Sequence, residues 1–462
     1  MIRFATVLPL LLGCLPGTPV VRASVPPPNI LLLFADNLGY GDLPSYGHPG
    51  NRTPHLDRLA ADGVRCTDFY VASPSCAPSR GALLTGRHPE RTGFNYQALQ
   101  YARLPARPGG EGLPAAEKII PALLKPLGYA TAAFGKWNAG FKPGSRPTER
   151  GFDEFLGVEG GNSGYYNHLY HGQNDLRRGT EPVDLRGRYS TDLFADAAID
   201  FIRRHRDQPW FVYLPFNAVH APTQANVEPG GKPEWQAPDK YFALHGLRVD
   251  EPDPKKRFRA VLSALDDAIG RVLATLDDLR QRERTLVLFI SDNGAFPNQL
   301  AGVGSGEQSN APFRGGAGST YEGGIRVPAI FRWPGRITPG TTCREILSTL
   351  DVLPLVGAAA GAALPPGHRV DGRDPLPALT GTAPSPHAAL HWVWKTGRFE
   401  WHAMREGTFK LIRSSAQAPW ELYDLAGDPG EARDLAGAQP ERVTALAGRF
   451  ARWHAEVRAG GR

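Results

Sequence analysis

No stretch of this 462-residue chain is long and apolar enough to span a bilayer as a helix. The run from Phe4 to Leu15 is too short, and Val352 to Leu364 is short and rich in Ala and Gly. No dense basic tract with interleaved aromatics occurs, although the net charge is +6, which argues against a nucleic-acid partner. The scattered arginines instead give a mildly cationic surface suited to an anionic substrate. No internal repeat is visible, and no His or Cys set has the spacing of a zinc site. Cysteine is scarce: four residues, Cys14, Cys66, Cys76 and Cys343.

What is present reads as an exported globular protein. Hydrophobic residues make up 41% of the chain and charged residues 21%, enough for a sizeable core. The length fits two or three units, or one large α/β domain with an appendage. Met1-Ile2-Arg3, the apolar run after it and Val21-Arg22-Ala23 before Ser24 form an export signal over residues 1–23. Delivery is then periplasmic or secreted. Leu11-Leu12-Gly13-Cys14 also resembles a lipoprotein box, which would anchor the chain at Cys14.

Strand and helix patterns alternate along the body of the chain. Ile30 to Ala35, Tyr129 to Phe134, Trp210 to Phe216 and Leu286 to Ile290 are strand-length runs, the first and last with the unbroken apolar character of buried parallel strands. Helical patterns cover Thr53 to Ala60 (Thr53 as cap, Pro54 in the first turn, Gly63 as stop), a broken Glu117 to Leu127, Ser190 to Arg206 and Lys255 to Arg282. Residues 222–254 are rich in Pro and Gly and read as an irregular excursion. The alternation predicts a doubly wound α/β sheet.

Four predicted strands end in polar groups: Asp36-Asn37, Lys136, His220 and Asp292-Asn293. Ligands of open α/β sheets bind beyond the carboxyl ends of the strands, so these groups are expected on one rim. Asp36, Asn37, Asp292 and Asn293 offer a metal only oxygen, which selects a hard cation, Ca²⁺ before Mg²⁺. Ser75-Cys76-Ala77-Pro78-Ser79-Arg80 opens a short helix ending at Gly86. Its mouth would place Cys76 in a field favouring anions, with Arg80 one turn on.

Cys76, Pro78, Ser79 and Arg80, followed by Leu84-Thr85-Gly86, resemble the signature of the type I sulfatases. Gly39 to Asp42, Gly135-Lys136-Trp137 and Tyr321 to Pro328 extend the likeness, which runs from about residue 28 to 435. The resemblance implies that Cys76 is oxidised to formylglycine by a maturing enzyme, and that the hydrated aldehyde attacks sulfur, frees the alcohol and then releases sulfate. It implies an alkaline-phosphatase-like α/β fold, with a large mostly parallel sheet between helices. It also implies calcium held by Asp36, Asn37, Asp292 and Asn293 beside the modified Cys76, and Arg80, Lys136 and His220 around the sulfate. Asn138 would join Lys136 and His220 against the substrate.

Three positions depart from the family pattern. Asn37 stands where a second Asp is usual, Asn138 replaces the histidine of Gly-Lys-Trp-His, and Ala317 replaces a sulfate-holding lysine. Loss of one such group typically costs about 10²–10⁴ in rate. Three activities therefore stand: hydrolysis of aryl or carbohydrate sulfates, hydrolysis of a phosphodiester or phosphonate monoester on the same fold, or binding of a sulfated glycan without turnover. With Cys14 in the signal and Cys76 in the site, Cys66 and Cys343 remain, either paired or as two buried thiols.

The tail reads as a second unit, so the expected division is a catalytic domain at 24–374 and a small domain at 375–462. Proline-rich material to Pro386 precedes four short strands near His391 to Trp394, Trp401 to Arg405, Phe409 to Arg413 and Glu421 to Asp424. A helix from Val443 to Ala455 closes the chain. In the sulfatases such a tail is a four-stranded antiparallel sheet, and the tryptophans Trp392, Trp394, Trp401 and Trp420 read as its packing.

Overall fold

Asn29–Ala35 is the central strand of a ten-stranded sheet, fully buried along its length. The computed structural model describes residues 1–2, 26–97, 112–221, 223, 226–228, 234–296, 308–364, 367–396 and 399–459. The export signal from residue 3 onward, with Cys14 and the Val21-Arg22-Ala23 site, and Pro222 lie outside the described residues.

From one edge the sheet runs Thr341–Cys343, Val64–Cys66, Ala329–Arg332, Thr285–Ser291, Asn29–Ala35, Trp210–Pro215, Ala130–Lys136, Glu154–Val158, Leu176–Arg178 and Glu181–Pro182. The five strands from Thr285–Ser291 to Glu154–Val158 are parallel, and Ala329–Arg332 and the last two strands run antiparallel to their neighbours. Side chains alternate between faces. Leu31, Leu33 and Ala35 belong to the cluster covered by the helices Ser190–Arg204 and Pro254–Asp278. Ile30, Leu32 and Phe34 belong to the cluster covered by Cys76–Thr85 and Val352–Ala360. Burial on both faces requires apolar residues at every position, which is why these strands show no alternation in sequence.

The parallel register sets the rim. Asp292 N–H donates to the Ala35 carbonyl at 3.0 Å, Asp36 N–H to Ala218 at 2.9 Å, and Val219 N–H to Asp36 at 2.9 Å. Three strand ends are thereby locked side by side. In the adjacent strand Gly135 has φ +132°, and a side chain there would overlap the Pro215 carbonyl. Glycine at that position lets Lys136 reach the same edge.

Several elements differ from the sequence expectation. Thr53 makes no capping bond; the Asp266 carboxylate accepts from the N–H groups of His55 at 3.1 Å and Leu56 at 2.8 Å instead. The broken helix reduces to Ile120–Leu124 and a 3₁₀ turn at Lys125–Leu127, because Pro121 can only begin a helix and Pro126 cannot continue one. Ser190–Arg204 stops two residues early, and Pro254–Asp278 begins at its proline and stops four early. The described end of the 222–254 excursion is not wholly irregular: Asp239–Leu244 is helical, and Trp235, Tyr241 and Phe242 are buried. Three apolar anchors outweigh the local Pro and Gly content. The proline-rich stretch likewise holds the turn of helix Leu376–Leu379.

The tail forms an antiparallel sheet of Leu390–Thr396, Phe399–Glu406, Phe409–Arg413 and Glu421–Asp424, in that order, closed by the helix Pro440–Ala459. Trp392 is buried, and its indole N–H donates to Val71 of the main body at 2.7 Å. Lys410 Nζ lies 2.9 Å from Glu322 Oε1 and 2.8 Å from Glu431 Oε1, all three side chains fully buried. A salt bridge this dry pins the small sheet to the segment Glu322–Ile325. Cys66 and Cys343 are adjacent partners on neighbouring parallel strands, both buried free thiols.

Candidate active site

Cys76 begins the ten-residue helix Cys76–Thr85, after Ser75 in extended conformation. Ser79 Oγ donates to the Asp292 carbonyl at 2.5 Å and Arg80 Nη1 donates to the Lys136 carbonyl at 3.0 Å, so the helix is stitched to two strand termini.

The predicted rim residues converge. Cys76 Sγ lies 3.7 Å from Asp36 Oδ1 and 3.8 Å from Asn37 Oδ1. Lys136 Nζ is 2.6 Å from Asp36 Oδ2, and Arg80 Nη2 is 2.7 Å from Asp292 Oδ2 and 3.7 Å from Asp36 Oδ1. Asn37 takes φ 58°, a left-handed conformation Asn tolerates, and its N–H donates to Asp292 Oδ1 at 3.0 Å. Asn293 Nδ2 donates to Asn37 Oδ1 at 2.6 Å. A ligand atom from each of Asp36, Cys76 and His220 falls within one 4.8 Å cluster. Asn138 follows Lys136 by two residues, buried, with φ 47°.

The electrostatics of this cluster follow from its dryness. Asp36, Asp292, Arg80 and Lys136 are all buried, two charges of each sign. Burial and the Asp36 charge raise the Asp292 carboxyl, against the pull of Arg80 and Lys136. Burial likewise pushes the Cys76 thiol far above its ordinary range, so the unmodified side chain is no thiolate nucleophile. His220 is pushed down to about 3, by burial first and by Lys136 second, and is neutral at working pH. Its Nδ1 lies 2.7 Å from the Ala221 carbonyl, which can only accept. The ring proton therefore sits on Nδ1, and Nε2 presents a lone pair.

The residues present fit a hard cation. Oxygens of Asp36, Asn37 and Asp292 gather within the cluster, and Asn293 Oδ1 is a buried acceptor with no partner. An orphan acceptor of this kind costs about 1–3 kcal/mol unless something meets it.

Two supporting residues carry no sequence signal. Gln308 Nε2 donates to the Asn37 carbonyl at 2.7 Å, and the Tyr165 hydroxyl donates to the His220 carbonyl at 3.0 Å. Both sit in polar loops of no particular pattern and are identified only by where they fold.

An α/β sheet that gathers buried carboxylate and amide oxygens with balancing cations at its carboxyl rim has the chemistry to hold an oxyanion. The Sulfatase family profile matches residues 28–362, and the profile of the C-terminal region of N-sulphoglucosamine sulphohydrolase matches residues 318–449. Human arylsulfatase A is 35% identical over 498 residues, covering 95% of this chain and 89% of the relative. Human N-acetylgalactosamine-6-sulfatase is 34% identical over 466 residues, covering 91% and 84%. The crystal structure of Ps i-CgsB superposes with a TM-score of 0.80 at 30% identity over 93% of both chains, and that protein has also been solved in complex with k-i-k-neocarrahexaose. The chain belongs to the sulfatase family and is a sulfuric ester hydrolase. No helix among the described residues is long and apolar enough to cross a membrane.

Proposed function

We propose that this protein is an exported sulfatase that hydrolyses sulfate esters of a carbohydrate or aryl alcohol, with Cys76 matured to formylglycine and a calcium ion held by Asp36, Asn37, Asp292 and Asn293. The single observation that carries the reading is the position of Cys76 Sγ, 3.7 Å and 3.8 Å from the carboxylate and amide oxygens of Asp36 and Asn37, which directly follow the strand Asn29–Ala35. Export rests on the signal-like residues 1–23, with 24–374 as catalytic domain and 375–462 as the small C-terminal domain. Carbohydrate is favoured as the alcohol by the named sugar sulfatase among the relatives and by the oligosaccharide complex of Ps i-CgsB.

Calcium would polarise a sulfate oxygen and favour the ionised form of the hydrated aldehyde, which would supply the nucleophilic oxygen. The chain's own groups do the rest. Arg80, held by Asp292, fixes that carboxylate and keeps the pocket electrically balanced. Lys136, held by Asp36, presents a cation at the strand end where sulfate oxygens arrive. His220 Nε2 is wired as an acceptor, so its natural work is to take a proton rather than to give one. Asn138 cannot act as a base, and it offers the substrate an amide instead. His220 thus supplies the acceptor that Asn138 lacks.

The test is peptide mass spectrometry across Cys76 after co-expression with a formylglycine-generating enzyme, coupled to product release from matched sulfate esters, phosphodiesters and phosphonate monoesters. The aldehyde together with sulfate release is the expected result, and, with His220 as the acceptor, His220→Gln should lower kcat by about 10²-fold or more. Faster phosphodiester cleavage would assign the protein to the other chemistry of this fold. Aldehyde without cleavage of any ester would leave a binder of sulfated glycans.

A further inference from the structure

A cavity of ≈ 410 Å³ opens where the small C-terminal sheet meets the main body, and it shares no residue with the Cys76 site. It lies beyond the other end of the Cys76–Thr85 helix, since the N–H groups of Asp371 in its wall and of the adjoining Gly372 donate to the Gly86 carbonyl at 2.8 Å and 3.1 Å. A ten-residue helix separates the two by about 15 Å. Interdomain crevices of this size are where small ligands bind.

Its chemistry is uneven in a way that points to an anion. Arg91, Arg369 and Arg373 face two carboxylates, Asp371 and Glu456. Asp371 grips Arg91 at 2.7 Å, and Glu456 is shared between Arg91 at 3.2 Å and Arg369 at 2.8 Å. The Arg373 guanidinium has no carboxylate partner among the described residues; its Nη1 is turned back on the Gly372 carbonyl, and only its backbone N–H reaches a carboxylate, that of Asp351 at 2.8 Å. The Arg91 side chain is 1% exposed, yet its Nη1 has no hydrogen-bond partner. Among its lining side chains the crevice therefore carries one surplus positive charge, at Arg373, which an anionic oxygen would meet, while Arg91 Nη1 is closed to solvent.

The remaining walls are not those of a bare oxyanion site. Ala72, Leu350, Val370 and Trp392 give it an apolar floor. His391 stacks on Trp453 with ring centres 4.3 Å apart, and the edge of His88 meets the same indole at 4.7 Å. Apolar floor and aromatic wall suit the C–H faces of a sugar, and the guanidinium groups suit its charged substituent.

We propose that this crevice is a second binding site, for a sugar unit that carries a sulfate or a carboxylate. It is independent of the chemistry at Cys76 and would hold an acidic glycan at a point remote from the reacting bond.

The test uses the full chain as Cys76→Ala, labelled with 5-fluorotryptophan, the Trp453 resonance being identified by its loss in Trp453→Phe. Titration with glucose 6-sulfate should shift that resonance saturably, and glucose at the same concentration should not. Arg369→Ser/Arg373→Ser, which alters only the exposed rim, should weaken the sulfated ligand at least tenfold. No shift with glucose 6-sulfate, an equal shift with glucose, or undiminished binding in the double variant would each overturn the assignment.

Discussion

Replacing Arg80 by Met tests both the electrostatics of the site and the cation proposed for it. In the native protein the Arg80 guanidinium touches Asp292 at 2.7 Å, stands 3.7 Å from Asp36 and bonds the Lys136 carbonyl, with every side chain in the group buried. Removal leaves two carboxylates facing one lysine in a dry site. Loss of one partner from a buried pair costs about 3–5 kcal/mol. Unfolding entropy near 2.1 cal/mol/K per residue amounts to roughly 1 kcal/mol per kelvin for a chain of this length. The metal-free variant is thus expected to melt about 3–5 °C lower by scanning calorimetry. Calcium at a hundred times its Kd should stabilise the native protein by about 2.7 kcal/mol. In the variant the site carries one more net negative charge, so calcium should bind more tightly, each tenfold adding about 1.4 kcal/mol. The expected signature is a larger calcium-induced rise in Tm for Arg80→Met than for the native chain. An equal or smaller rise would refute a cation seated among these carboxylates.

Two further outcomes follow from buried charges elsewhere. Lys410→Met strands Glu322 and Glu431 without their shared cation and should destabilise the protein by about 3–5 kcal/mol in urea unfolding. Adding Glu322→Gln and Glu431→Gln should recover most of that loss, and no recovery would show that the charges are not the cause. For pH, the sign follows from His220: its folded value of about 3 lies below the ordinary 6.5, so the ring stays neutral from pH 8 down to about 4. kcat/KM should therefore show no acid limb near 6.5 due to this residue; a limb there that disappears in His220→Gln would contradict a ring held neutral by its burial.

How much of this was legible in the sequence depended on how local the cause was. Ile30 to Ala35 and Leu286 to Ile290 announce themselves because a strand buried on both faces must be apolar throughout. The polar residues after them are equally readable, since a parallel sheet puts consecutive strand ends on one rim. Thr341–Cys343 and Glu181–Pro182 are too short to show any period, and the antiparallel Ala329–Arg332 pairs with segments far away in sequence. The bond from Tyr165 to His220, the reach of Gln308 to Asn37 and the tautomer of His220 are likewise products of tertiary contact. The thiols Cys66 and Cys343 illustrate the same limit: residues 277 apart become neighbours only through strand register.

The departures from the family pattern look different once the site's charges are in place. Asn37 removes one negative charge from the expected set, and Ala317 removes one positive charge. Taken together they leave the balance of Asp36 and Asp292 against Arg80 and Lys136 undisturbed. The divalent cation proposed above would add two positive charges, which a sulfate monoester and one ionised nucleophile would cancel. The pocket would be neutral when loaded, as a dry site must be to avoid the cost of burying net charge. Asn138 is the one departure with no electrostatic counterpart, for it exchanges a base for a neutral amide. A ring nitrogen of His220 stands within the same 4.8 Å cluster as Cys76 and Asp36, so proton removal has a candidate that does not depend on Asn138.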